Sequence, residues 1–215
     1  LESGRILIPL GYNTDNYIRE RGEYERRIVT VYSEDGGETW VIGSDNIATP
    51  IGLLMGHTGA MEPVVVELGD GRVWMIIRTQ TPCFHESFSE DGGKTWAHPA
   101  PTQFRAPNAP AAVLRLTDRR LVLCWNDVSE YPGEVIRSGR QYLHIAVSSD
   151  DGKSWSRSKL IARREEGEHE NINVRYPFLC ETADGSLLVR YHRTGGGGGI
   201  NRRELLRIDP DWIAE

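Results

Sequence analysis

Ser33-Glu34-Asp35-Gly36-Gly37-Glu38-Thr39-Trp40 is the stretch on which the reading of this chain turns, because it returns twice. It reappears as Ser89-Glu90-Asp91-Gly92-Gly93-Lys94-Thr95-Trp96 and as Ser148-Ser149-Asp150-Asp151-Gly152-Lys153-Ser154-Trp155. The shared pattern is Ser-x-Asp-x-Gly-x-Thr/Ser-Trp, with its aspartates 56 and 59 residues apart. One match could be chance; three at near-constant spacing are a structural period, and such a period marks a repeated supersecondary unit. Each copy follows a strand-like run: Ile28 to Tyr32, Glu86 to Phe88 and Leu143 to Val147. The chemistry suits a tight hairpin. The Asp carboxylate can accept backbone N–H bonds within the turn, Gly takes positive φ, and Trp folds back as an apolar plug.

A second turn signal interleaves with the first. Glu67-Leu68-Gly69-Asp70-Gly71-Arg72, Arg115-Leu116-Thr117-Asp118-Arg119-Arg120 and Glu181-Thr182-Ala183-Asp184-Gly185-Ser186 each precede an apolar run, Val73 to Ile77, Leu121 to Trp125 and Leu187 to Val189. The opening Leu1-Glu2-Ser3-Gly4 reads as the same turn, cut short at its front. Each period is therefore strand, Asp-Gly turn, strand, loop, strand, Asp-Gly-Trp hairpin, strand, which is the four-stranded meander of a β-propeller blade. No segment shows a 3.6-residue apolar period over a dozen residues. The expected fold class is all-β: a partial propeller domain over 1–215 with about three to four blades. It should hold the last three strands of one blade, whole blades near 63–104 and 110–162, and the start of another from Pro177. A closed ring of six such blades needs well over about 300 residues, so further blades are expected, mostly upstream. Alone, such a stretch would leave blade faces and edge strands uncovered.

Composition narrows the partners. The chain of 215 residues has a net charge of -6, and its pI is near 5.6, which argues against an electrostatic partnership with nucleic acid or an anionic membrane. No run approaches the roughly eighteen apolar residues of a membrane segment. The first residue is Leu1 rather than Met, as in a trimmed or partial sequence. Cys83, Cys124 and Cys180 lie too far apart for a zinc site or a disulfide scaffold, and Cys124 and Cys180 sit in apolar runs expected to be buried. The run Gly195 to Gly199 lacks the strand-turn-helix context of a phosphate loop and reads as a connection between strands. No cofactor and no metal are expected.

With these repeats the sequence resembles the sialidase (neuraminidase) superfamily, whose Asp-box, or BNR-repeat, members fold as six-bladed propellers. The resemblance covers nearly the whole chain. It implies that the Asp boxes are structural and lie on the face away from the active site. Strand parity then collects the candidate site on the opposite rim, from the starts of first and third strands and the ends of second strands. Four polar residues fall there: Glu62, Arg78, Arg140 and Tyr176. The resemblance gives them roles. Arg78 and Arg140 look like two of three arginines that hold the substrate carboxylate, Tyr176 looks like the nucleophile, and Glu62 its base. Arginine presents a planar fork of donors matched to a carboxylate and stays charged. A neutral phenol suits an anomeric centre bearing a carboxylate, which would repel Asp or Glu.

The implied activity is an exo-sialidase-like glycoside hydrolase cleaving terminal sialic acid or a related acidic sugar, with a glycan as partner. The family's first arginine and its acid/base Asp have no counterpart here. Pro177 stands where sialidases often carry Ser, and removes one backbone donor beside Tyr176. Two other readings share the scaffold, a non-catalytic glycan-binding propeller and a hydrolase of another sugar. His57, His85 and His192, with Asn108, Asn126 and Asp127, are secondary rim candidates, and Arg175 is a second cation beside Tyr176.

Overall fold

The computed structural model describes residues 1–18, 23–43, 46–51, 58–130, 139–195 and 199–215. These form four sheets, in two compact units, Leu1–Asn108 and Ala109–Glu215, each with its own core. In the first unit one sheet holds the antiparallel strands β1 (Ile6–Ile18), β2 (Glu23–Ser33) and β3 (Val41–Ile42). The next holds β5 (Met61–Glu67), β6 (Val73–Arg78), β7 (Cys83–Ser89) and β8 (Ala100–Arg105). A short strand β4 (Thr58–Gly59), not foreseen, pairs in parallel with β2 at Glu25 and Arg26. In the second unit one sheet is β9 (Ala112–Arg115), β10 (Leu121–Trp125), β11 (Tyr142–Ser148) and β12 (Lys159–Arg163), and the other β13 (Asn173–Glu181), β14 (Leu187–Gly195) and β15 (Ile200–Ile208).

The two meanders expected near 63–104 and 110–162 are thus present, as are the three strands before them. The last sheet starts at Asn173, four residues ahead of the expected Pro177. Its β14 and β15 are joined across the glycine run, of which 196–198 lie outside the described residues. The second strands β6 and β10 are buried along their whole length, which is why they read as continuous apolar runs rather than alternating ones. One feature departs from the all-strand reading: a single turn of helix, α1 (Pro210–Ala214). Asp209 caps it by accepting from the Asp211 N–H, Pro210 occupies the first turn and Ile213 anchors it in the core. At five residues it is too short to leave a helical period.

The three hairpins repeat one hydrogen-bond pattern. In the third, Ser148 Oγ donates to Asp150 Oδ1 (2.8 Å), Gly152 N to Ser148 Oγ (2.8 Å), Ser154 N and Oγ to the Asp150 carboxylate (2.8 and 2.6 Å), and Trp155 Nε1 to the Gly152 carbonyl (3.1 Å). The same bonds link Ser33, Asp35, Gly37, Thr39 and Trp40, and again Ser89, Asp91, Gly93, Thr95 and Trp96. Each invariant letter of the pattern is therefore a donor, an acceptor or a positive-φ glycine. Trp96 is the expected plug, buried between the sheets of the first unit and also donating to Thr30 Oγ1 (3.2 Å). Trp40 is not, since it is 44% exposed. Cys124 is buried as expected, whereas Cys180 is exposed because it falls on the outward face of β13. Ile6, Ile8, Leu10 and Tyr12 are exposed along one face of β1, as are Phe178 and Leu205 in the last sheet, matching the expectation of uncovered faces.

These turns make the fold acid-sensitive. Bonds from Ser154, by side chain and backbone, and from Ser148 hold Asp150 at about 2. Asp91 is also at about 2, where burial, which opposes, is outweighed by Thr95, Ser89 and Lys94. Asp35 is lowered as well, chiefly by Thr39. A carboxylate whose folded pKa lies below its unfolded value stabilises fully above the unfolded value, near 4, and that contribution is lost as pH falls through the folded one. Urea unfolding at a series of pH values should therefore give a plateau above about pH 5 and a decline between about pH 4 and 2. In Asp150→Asn the decline should be shallower. An unchanged slope would contradict this account.

Candidate active site

The first unit brings Glu62 and Arg78 together. The Asp70-Gly71 turn sets the β5–β6 register so that Arg78, ending β6, lies opposite Met61, and the pairing resumes at Val64 with Ile76. Glu62 and Pro63 therefore oppose the single residue Ile77, a β-bulge, and Glu62 adopts φ 38°. Arg78 is buried, 5% exposed. Its Nη1 pairs with the Glu62 carboxylate and its Nε donates to Asn108 Oδ1 at 2.7 Å. Glu62 is itself half-exposed. Its charge fixes the guanidinium, and Asn108, a candidate for sugar contacts, also holds that guanidinium in the plane its fork requires.

The second unit gathers cations around Tyr176. Here Arg175 pairs with His192 and the register resumes at Phe178 with Arg190, so Tyr176 and Pro177 oppose only Tyr191. Tyr176 has φ 57°. Pro177 thus sits inside the bulge, where the ladder is already interrupted, and the missing donor foreseen from the sequence breaks no regular pairing. The Arg140 carbonyl accepts from Val174 N (2.7 Å), fixing the segment before β11 beside the start of β13. The Arg175 and Arg140 guanidinium carbons stand 5.0 and 5.7 Å from the Tyr176 ring centroid, and His192 meets the ring edge-on at 6.1 Å. Burial, then the charges of Arg190, Arg203 and Arg175, lower the His192 pKa, and its Nε2 lies 2.6 Å from Arg190 Nη2. The ring is thus held between two guanidinium groups and an imidazole edge.

Glu62 and Tyr176 share one local device. Among the described residues four non-glycines have positive φ: Glu62, Arg119, Asp151 and Tyr176. Arg119 and Asp151 occupy turn positions that glycine fills in the sister repeats, Gly71 and Gly36 or Gly92. Glu62 and Tyr176 instead lie within first strands, in matching two-against-one bulges, each followed by proline. A left-handed non-glycine costs about 1–3 kcal/mol, and such cost concentrates at functional sites.

The secondary candidates divide. Asn126 is buried and its Nδ2 donates to the Tyr142 and Val174 carbonyls (2.9 and 2.8 Å), so it ties strands together. Asp127 accepts from Ser129 and Ser158. His85 is buried, which lowers its pKa, with Nδ1 3.4 Å from Thr81 Oγ1. His57 lies outside the described residues. Sequence reasoning missed that Glu62 and Arg78 are ion-paired, because the bulge at Glu62 and Pro63 sets a register that residue counting does not give.

The BNR repeat-like domain family matches residues 1–189. An anhydrosialidase from Macrobdella decora is 33% identical over 226 residues, taking in 99% of this chain and 26% of its own length. The chain is a BNR-repeat protein of the sialidase superfamily. A sialidase from Micromonospora viridifaciens is 29% identical over 177 residues, 76% of this chain and 23% of its own length. This BNR-repeat chain thus spans about a quarter of the length of these curated relatives. Among solved structures, a leech intramolecular trans-sialidase complexed with 2,7-anhydro-Neu5Ac superposes with a TM-score of 0.70 at 20% identity, over 98% of this chain and 30% of its own. That likeness is one of fold, the β-propeller of the sialidases. No helix among the described residues is long and apolar enough to cross a membrane.

Proposed function

We propose that this chain supplies blades of a six-bladed propeller whose whole is a retaining glycosidase of the exo-sialidase type, acting on terminal sialic acid or a related acidic sugar. The observation that carries the reading is the Tyr176 ring held against two guanidinium groups, Arg175 and Arg140. Tyr176 Oη attacks the anomeric carbon, the bond to the leaving group breaks, and water later releases the sugar from the tyrosyl intermediate. The phenol meets no charge repulsion from the sugar carboxylate, which the guanidinium groups beside the ring attract. Arg78, preset by Glu62 and Asn108, and Arg140 are each taken as carboxylate ligands from the family resemblance. The assignment of Glu62 as the base for Tyr176 comes from the family resemblance.

The experiment is turnover of a fluorogenic aryl α-sialoside by the full-length protein, with the anomeric form of the first product read by proton NMR. Fluorophore release with retention is expected. Release from neutral aryl glycosides but not from the sialoside would overturn the choice of sugar, and binding of sialosides without any turnover would make the protein a glycan-binding propeller.

A further inference from the structure

The β1–β2 hairpin is longer than its neighbours: 13 and 11 residues, against six and seven in β6 and β7. The extra length is braced. Glu25 is buried, its carboxylate receives Arg27 Nε (2.8 Å) and Asn16 Nδ2 (2.9 Å), and its carbonyl accepts from Thr14 Oγ1 (3.2 Å). β4 lies alongside, and its Gly59 (φ 92°) passes so close that a Cβ there would meet the Arg26 carbonyl at 2.3 Å. Beyond this brace Tyr17 and Tyr24 pair directly across the strands, ring centroids 5.1 Å apart and edge to face, yet they are 50% and 48% exposed.

Strand alternation places Tyr24 on the same face of β2 as Arg26, whose cross-strand partner is Asn13. Asn13 and Arg26 line an open cleft of about 270 Å³, with Met61 and Glu62 among its other walls. Two paired, solvent-facing aromatic rings followed by an amide and a guanidinium add little to stability by burial, since the rings bury little area. They match sugar recognition: ring faces take the C–H face of a pyranose, and planar polar groups take its hydroxyls. We propose that this cleft and the Tyr17–Tyr24 arm bind the neutral sugar units adjoining the acidic terminal one. The proposal rests on the reading of Glu62 as part of the glycosidase site.

Two readouts on the full-length protein separate the claims. The first is the ratio of kcat/KM for 3′-sialyllactose to that for methyl α-sialoside, expected to fall about tenfold, or 1.4 kcal/mol, in the double variant Tyr17→Ala, Tyr24→Ala, and again in Arg26→Gln. The second is binding of lactose alone by saturation-transfer NMR, expected in the parent and lost in the double variant. If neither sialoside is cleaved but lactose binding depends on the tyrosines, the proposed activity fails and the neutral-sugar site stands. An unchanged ratio with unchanged lactose binding would overturn the site, as would a change of oligomeric state without either effect, which would make the arm a protein contact.

Discussion

Replacing Tyr176 by Phe in the full-length protein should lower kcat on an aryl sialoside by at least about 10³-fold, since it deletes the proposed nucleophile and nothing else. The ring that meets Arg175, Arg140 and His192 is kept, so those contacts survive and the thermal unfolding midpoint should move little. Glu62→Gln should reduce kcat by about 10²–10⁴-fold if Glu62 moves the proton. It should also raise KM, because Arg78 loses the anion that fixes its fork. Steady-state kinetics with a parallel melting curve checks both. Undiminished turnover in Tyr176→Phe would remove the tyrosine from the mechanism; a variant that unfolds would be replaced by Tyr176→Trp, which also lacks the hydroxyl.

Arg193→Met is expected to be the most destabilising single change in the last sheet, at about 3 kcal/mol. The Arg193 side chain is only 6% exposed and gathers its partners tightly. Nε donates to Glu204 (2.8 Å), and Nη1 to Glu168 (2.7 Å) and the Arg163 carbonyl (3.2 Å). Tyr191, buried beside it, donates to the other Glu204 oxygen, and burial together with that carboxylate pushes the phenol up to about 12. Removing the guanidinium leaves Glu204 and Glu168 without their cation in partly buried positions, which costs more than the pair contributed. Glu204 and Glu168 keep some solvent contact, which holds the effect to the lower part of the range for buried pairs. Urea unfolding of the full-length protein, with hydrogen exchange across β13–β15, provides the measurement. The double variant Arg193→Met, Glu204→Gln should recover part of the loss, and no loss in the single variant would refute the account.

How far the sequence reached can be traced through these residues. The side chains of Ser148, Asp150, Ser154 and Trp155 bond within their own hairpin, so their pattern states the hairpin and its triple recurrence states the architecture. The same locality let strand parity send Glu62, Arg78, Arg140 and Tyr176 to strand ends away from those hairpins. Parity counts residues, however, and a bulge adds one that the count does not see. The left-handed turns at Glu62 and Tyr176 come from pairing with β6 and β14 and have no signature beyond the proline that follows each.

Partners distant in the chain were likewise invisible. Arg193 joins Glu168 and Glu204 from two other segments, and Asn126 reaches Val174 across 48 residues, contacts that no spacing announces. The sequence alone therefore determined the repeated strands, their hairpins and the residue types offered at each strand end, because those depend on local hydrogen bonds and the two-residue period. Tertiary structure decided which carboxylate meets which guanidinium and which backbone is forced left-handed, because both depend on strands brought together only when the sheets form.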